Sequence, residues 1–348
     1  MEIGEVARAI AWQADHAANN GAPCTGRAIR AQLGLLDGKT AVGQRLANWP
    51  GKPLEDALPL RLAGGFHHLL LSGADRRLEP VYRGELTEQA AIDALVMAMT
   101  RDHDAALLPW LDGPPQTNEA GRSASIMAAL LWLAPRLGAR FDMNELGASA
   151  GVNTMIERYR YDLGGTTVGP EDSPMRIVPE WRGQAPKASR VEIIGIQGCD
   201  RAPVNLADPA AALRLKSYVW AEVTERLARI DAAAALARAK PPLVDGCDAA
   251  DWAEMRLCLP QEADTTRVLY HSIVWQYLPA PTRARIEAAM AEAGARADAQ
   301  RRLAWIMLET NRATFRHELT VRHWPGDGEP ILLGTAHAHG AWVEWLGD

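Results

Sequence analysis

Phenylalanine is nearly missing from this chain, with three copies in 348 residues against twelve tryptophans, and the sequence offers no physical account of that usage. Other absences exclude more. No apolar run approaches the roughly 18 residues that a membrane-spanning helix needs, so no span is expected. The opening MEIGEVARAIAWQADHA lacks the basic start and apolar core of a secretory signal. The four cysteines, Cys24, Cys199, Cys247 and Cys258, contain no CxxC pair. Neither a zinc ribbon nor a disulfide framework is therefore expected, and scattered thiols fit a cytoplasmic location. A basic surplus is also lacking: 37 Lys and Arg stand against 43 Asp and Glu, a formal net charge of -6. That balance argues against a nucleic-acid or anionic-membrane partner and leaves a small-molecule ligand as the expected one. The oligomeric state is left open. There is no internal repeat, and nothing of low complexity beyond the Ala-rich Asp231–Ala239.

What is present is an ordinary globular composition, 48% hydrophobic and 23% charged. The expected division is a helical N-terminal region, 1–139, followed by a Rossmann-like α/β domain, 140–348. In the first, Glu2–Ala18 has an apolar stripe, and Thr25, Thr40 and Thr87 stand where helix caps would fall. Ile92, Leu95 and Met99 share one face of the helix after Thr87. The break LDGPPQ at Leu111–Gln116 precedes a helix capped by Thr117 or Asn118, with Ile126, Leu130, Leu133 and Leu137 inward and Gly138 at its end.

From Arg140 onward, short apolar runs alternate with helical stretches. Phe141–Leu146, Val191–Ile196, Leu243–Asp245, Val268–Val274 and Leu303–Leu308 read as strands, with helices at Tyr218–Lys240 and Thr282–Ala293. Such alternation means a mostly parallel sheet with right-handed crossovers. His317–Trp324, Ile331–Ala336 and Trp342–Leu346, joined by glycine turns, predict antiparallel strands at its end. A Gly- and Pro-rich insertion at 158–188 reads either as a surface hairpin or as a lid over the preceding loop.

That loop, Glu145–Gly151 (ELGASAG), carries the functional signal. Glycines at alternating positions allow a tight turn and close approach of backbone to ligand. The segment resembles the first motif of class I S-adenosylmethionine-dependent methyltransferases, E/D-x-G-x-G-x-G, with Ser149 at the middle glycine. It does not fit the dinucleotide spacing G-x-G-x-x-G. The resemblance implies that Glu145, Gly147, Ser149, Gly151 and the following Asn153 hold the amino-acid end of S-adenosylmethionine. It implies an acid at the second strand for the ribose, here Asp200 with Asp208 as competitor, and an acid after the third for the adenine, here Asp248. His271 at the end of the fourth strand would face the acceptor as general base. The expected function is methyl transfer to an unidentified acceptor.

The same residues also spell G-x-S-x-G, which resembles the nucleophile elbow of α/β-hydrolases. Asp245 or Asp248 and then His271, His337 or His339 would satisfy the order Ser…Asp…His. The chain before Ser149 reads as helices, however, whereas such hydrolases place several strands there. A non-catalytic ligand-binding or scaffold protein is the third reading. Each acid taken singly also fits an ordinary helix cap.

Five blocks in order, GGFHHLLLSG, PPQTNEAGRS, ELGASAGVN with TMIERYRYDLGG, Gly198–Asp208 and HAHGAWVEWL, resemble the prokaryotic family known as domain of unknown function 2332. The resemblance pairs PPQTNEAGR with the glycine loop. It suggests that Gln116, Asn118 and Arg122 reach a ligand carboxylate, while helix capping explains Asn118 equally well. His337 and His339 could share a strand face as metal ligands, but a turn at Gly340 is simpler and no metal is expected. His67–His68, followed by three leucines, reads as a helix meeting the domain interface.

Overall fold

The structure, a computed structural model, describes residues 3–116 and 118–348. The chain divides into two compact units, Met1–Thr117 with Asp208–Asp231, and Asn118–Ala207 with Ala232–Asp348. The division thus departs from a boundary at 139: the helix before the first strand belongs with the sheet, and a later segment belongs with the N-terminal helices.

The helical unit opens with α1 (Ile3–Asn19), α2 (Pro23–Arg30), α3 (Ala41–Ala47), α4 (Leu58–Leu71), α5 (Glu79–Tyr82) and α6 (Gln89–Leu107). Its core gathers Ile10, Ile29, Leu46, Leu62, Phe66, Ile92, Val96 and Met99. Thr40 caps α3, its hydroxyl accepting from Gly43 N at 3.0 Å. The cap of α6 is Glu88 rather than Thr87, its carboxylate accepting from the Ala90 and Ala91 amides. Thr25 lies inside α2 and donates its hydroxyl to Glu222. The cap expected at Thr117 falls outside the described residues.

The second unit begins with α7 (Ser123–Leu137), whose expected inward face is buried and which ends at Gly138 with φ 82°. Next come β1 (Arg140–Leu146), β2 (Arg160–Leu163), β3 (Thr166–Val168), β4 (Arg176–Ile177), β5 (Glu180–Arg182) and β6 (Glu192–Asp200). The helices α8 (Pro209–Ser217) and α9 (Thr224–Ala239) follow, and the division between the units passes through α9. Then come β7 (Val244–Gly246), α10 (Ala249–Cys258), β8 (Thr265–Ser272), α11 (Ala280–Arg296), β9 (Arg301–Thr310), β10 (His317–Trp324), β11 (Ile331–Ala336) and β12 (Trp342–Trp345).

Nine strands form one sheet in the order β5-β12-β11-β10-β9-β8-β1-β6-β7. The pairs β7-β6, β6-β1, β1-β8 and β8-β9 are parallel; β9-β10, β10-β11 and β11-β12 are antiparallel. Counting only β1, β6, β7, β8 and β9, the spatial order is 3-2-1-4-5. The chain therefore works outward from β1 on one side and then on the other. In such sheets ligands bind beyond the carboxyl ends of the strands at the reversal, here between β1 and β8.

Residue parity decides what each face meets. Leu146, Leu269 and Trp305 pack against Ala250, Trp252, Ile286 and Met290 of α10 and α11. The opposite parity faces α7, where Thr266 donates its hydroxyl to the Leu137 carbonyl at 2.8 Å. With both faces covered, β8 is buried along nearly its whole length.

The insertion is not an open lid. β2, β3 and β4 form a small sheet, and β5 extends the main sheet by pairing with β12. Its aromatic positions are anchored: Tyr161 donates to Ser123 Oγ at 3.1 Å, and Tyr159 donates to the Val152 carbonyl. Tyr159, Tyr161, Leu163 and Ile177 are buried, so the apolar content of the segment holds it down. No described helix is long and apolar enough to cross a membrane.

Candidate functional site

β1 ends at Leu146, and the chain turns through Gly147, Ser149 and Gly151 with φ of 67°, 52° and 70°. All three lie in the left-handed region, which glycine enters freely and serine does not. At Gly147 there is no space for a side chain either: a Cβ there would lie 2.3 Å from Val274 Cγ2. The loop is followed by a short 3₁₀ helix, Asn153–Arg158, in place of the expected α-helix, because Met155 departs from helical geometry. An extended helix dipole is therefore not what this loop offers.

Asp200, at the end of β6, fastens the loop. Its Oδ2 accepts from Ser149 N at 2.9 Å and its Oδ1 from Ala202 N at 2.9 Å. Asn118 fastens it from another direction, Oδ1 accepting from Val152 N at 2.7 Å. Asn118 is therefore a loop-positioning residue and does not cap a helix; Glu119 caps the turn Ala120–Arg122 by accepting from Gly121 N. Arg122 donates to the Ala338 carbonyl at 2.8 Å and the Ser272 carbonyl at 3.2 Å. It ties the segment before α7 to the carboxyl end of β8.

Asp208 caps α8, so its competition with Asp200 is decided by geometry. Asp248 caps α10 through Oδ1, 2.9 Å from Ala250 N, while its Oδ2 lies 3.7 Å from Arg201. Capping does not remove it from the site. Gly147, Asp200 and Asp248 line one cavity of ≈ 210 Å³ with Cys199, Cys247, Val274 and Leu278. Of the expected loop and strand-end residues, Gly147, Asp200 and Asp248 share this cavity, whereas Glu145, Ser149 and Gly151 do not line it. Both cysteines there have thiols pushed up by burial.

Glu145 lies on the other side of the loop. By strand parity it faces away from that cavity, beside Tyr270 in the β1–β8 register. It is 2% exposed, and burial pushes its carboxyl up to about 8. Tyr270, Arg122 and Asn153 pull the other way and Asp200 pushes with it, but desolvation dominates. The Tyr270 hydroxyl is directed at the Asn153 carbonyl, 2.9 Å away, and lies 3.5 Å from Glu145 Oε2. Asn153 is 2% exposed, and neither end of its side-chain amide has a hydrogen-bond partner. A buried, unpartnered amide beside a buried acid is an unfinished polar site.

His271 is oriented differently from the expectation. On the α11 side of the sheet its ring stacks on Trp275 at 5.0 Å, and Nδ1 lies 2.7 Å from Glu309 Oε1. The same Glu309 oxygen accepts from Val274 N at 3.0 Å. Nε2 is buried without a partner, and the residue is 0% exposed, so His271 does not face an open acceptor site. The reason lies next in the chain. Ile273 adopts φ 54°, which ends β8 at Ser272 and folds Trp275 back over the imidazole.

Sequence reasoning missed Glu309, Tyr270 and the turn at Ile273. The signal for Glu309 was present, since an acid ends the apolar run Leu303–Leu308, the logic that selected Asp200. Tyr270 was hidden because parity across the β1–β8 register is a property of the fold.

The hydrolase reading needs a base at Ser149, and the geometry does not supply it. Ser149 Oγ is buried and has no hydrogen-bond partner, histidine or otherwise, among the described residues. His337 and His339 lie in a turn closed by Gly340 N donating to the His337 carbonyl, beyond the end of β11. No group of three or more His, Cys, Asp or Glu arranged to hold a metal occurs among the described residues.

Residues 7–345 match the model of the family described as "Uncharacterized protein conserved in bacteria (DUF2332)". The chain belongs to that family. No curated protein and no solved structure matches it.

Proposed function

We propose that the α/β unit binds S-adenosylmethionine across the carboxyl ends of β1, β6 and β7, and that the protein is a methyltransferase. The observation that carries this reading is the convergence of Gly147, Asp200 and Asp248, distant in sequence, on one cavity. Its place beside the reversal of strand order is where doubly wound sheets take their ligands. At ≈ 210 Å³ the cavity is smaller than a whole-ligand pocket of roughly 300–1,000 Å³ and suits one end of the ligand, the planar base. Val274 and Leu278 supply apolar walls and Asp248 an acceptor for exocyclic N–H groups.

The fit is further supported by the unfinished groups. Asp200 accepts one backbone hydrogen bond on each oxygen, which leaves lone pairs for ribose hydroxyls. Glu145 and the open amide of Asn153 suit the amino-acid end, on the far side of Gly147. S-adenosylmethionine supplies an electrophilic methyl group on a sulfonium. The protein's part is to align it by gripping both ends and excluding water. No step is routed through His271, because Trp275 covers it.

Calorimetric titration with S-adenosylmethionine and S-adenosylhomocysteine tests the proposal. Saturable binding that is lost in Glu145→Ala and Asp200→Ala is expected, with no labelling of Ser149 by a fluorophosphonate. Absence of binding to folded protein, or labelling of Ser149, overturns it.

A further inference from the structure

Glu145 is the one acid of the site that the protein itself does not use. Asp200 holds the glycine loop, Asp248 caps a helix, and Glu309 holds His271 and Val274. Glu145 has no cation within ion-pair distance among the described residues, and its neighbours supply little to an anion. From β8, Tyr270 directs its hydroxyl at Asn153 O. From the segment before α7, Arg122 donates to the Ala338 and Ser272 carbonyls. Asn153, from the 3₁₀ helix, lies beside the carboxyl without closing a hydrogen bond. Tyr159 and Cys199 are neutral groups pushed up by burial, and Asp200 on β6 adds repulsion. An isolated carboxylate in such surroundings is so unfavourable that the group keeps its proton.

We propose that ligand binding at this site releases a proton: Glu145 is neutral in the empty protein and ionises when a ligand's primary ammonium docks between its carboxyl and the Asn153 amide. The reading rests on the proposed adenosyl ligand and adds the chemistry of its recognition. The ammonium donates to the new carboxylate, which otherwise has only the long contact from the Tyr270 hydroxyl, and to the unpartnered Asn153 side-chain carbonyl oxygen. The proton lost by Glu145 passes to buffer, so charge balances: a neutral acid and a cation become an ion pair and a released proton. The site thereby selects ligands with an amino-acid end over nucleosides lacking one. It also ties affinity to pH in the physiological range.

The test is calorimetry with S-adenosylhomocysteine in two buffers of different ionisation enthalpy, repeated at pH 6 and pH 7. A buffer-dependent heat corresponding to nearly one released proton is expected, with affinity rising about tenfold over that pH unit by linkage. 5′-Methylthioadenosine, which lacks the ammonium, is expected to bind more weakly with no buffer dependence. Glu145→Gln, which keeps the shape of the side chain, is expected to abolish proton release for S-adenosylhomocysteine. Binding of S-adenosylhomocysteine with buffer-independent heat overturns this inference and leaves the proposed function standing. Failure of both ligands to bind overturns both.

Discussion

The two ends of the parallel sheet solve opposite problems. At the amino ends of β8 and β9 lies a cavity of ≈ 600 Å³ lined by Arg267, Arg296 and Arg301. It is larger than the one at the carboxyl ends, yet its most buried cation is fully employed. Arg267 bonds Asp142 at 3.1 Å and the carbonyls of Arg256, Leu259 and Pro260 at 2.8–3.0 Å. At the carboxyl ends the polar groups are left open instead, at Ser149 Oγ, both ends of the Asn153 amide and His271 Nε2. Left-handed backbone at Ser149 and Ile273 adds strain there. One end is arranged for stability. The other leaves buried polar atoms without protein partners, so cavity size alone is a poor guide to where the open polar groups lie.

The comparison breaks most visibly at Arg267. Arg267→Met is expected to cost about 2–3 kcal/mol in urea unfolding, since it removes the buried donor shared by Asp142 and three carbonyls and leaves Asp142 only the more distant Arg256. The affinity of the surviving folded protein for S-adenosylhomocysteine is expected to stay unchanged. Comparable in size is Gly147→Ala, which combines left-handed strain with a clash on Val274 and is expected to cost about 3 kcal/mol and to abolish binding. Loss of stability without loss of binding would show that the loop's glycine serves packing alone.

Glu309→Gln is expected to cost about 1–2 kcal/mol, because the amide oxygen can take the place of the one oxygen that meets both His271 and Val274 but does not carry the charge. Its effect on affinity is expected to be small, and a large one would move the ligand toward His271. The smallest change is Ser149→Gly, expected within about 1 kcal/mol of wild type, as relief of φ 52° opposes the added freedom of the unfolded chain. Binding is expected to be kept.

Much of the sheet unit was legible because its strands are written as apolar runs. β10 and β11 fall on the expected residues, and the antiparallel finish follows from the glycine turns between them. The glycine loop was legible for the same local reason, since alternating positive φ demands small residues at 147 and 151. Boundaries set by tertiary packing were not. Asp208–Asp231 belongs to the helical unit through contacts no periodicity encodes, and the insertion's aromatics give no sign of whether they cover a site or anchor a small sheet. Within the site, the acids at strand ends were readable one by one. Which of them are spent internally depends on three-dimensional partners. That is why Asp200 emerged as a loop fastener, Asp208 as a cap and His271 as a covered residue, while Glu145 alone was left open.

The most direct measurement is unfolding free energy as a function of pH for wild type and Glu145→Gln. The folded carboxyl is raised to about 8 against an ordinary 4.5, so the native state holds a proton that the unfolded state has released across that window. Wild-type stability therefore loses this contribution as pH rises from about 5 to about 8, falling by about 1.4 kcal/mol for each step of one in pH, whereas the glutamine variant has nothing to titrate there. The account predicts that the variant gains several kcal/mol on wild type over that range, starting from near equality at pH 5. Parallel curves would contradict it, because they would mean that Glu145 ionises freely in the empty protein and that this end of the sheet is not held open for a ligand.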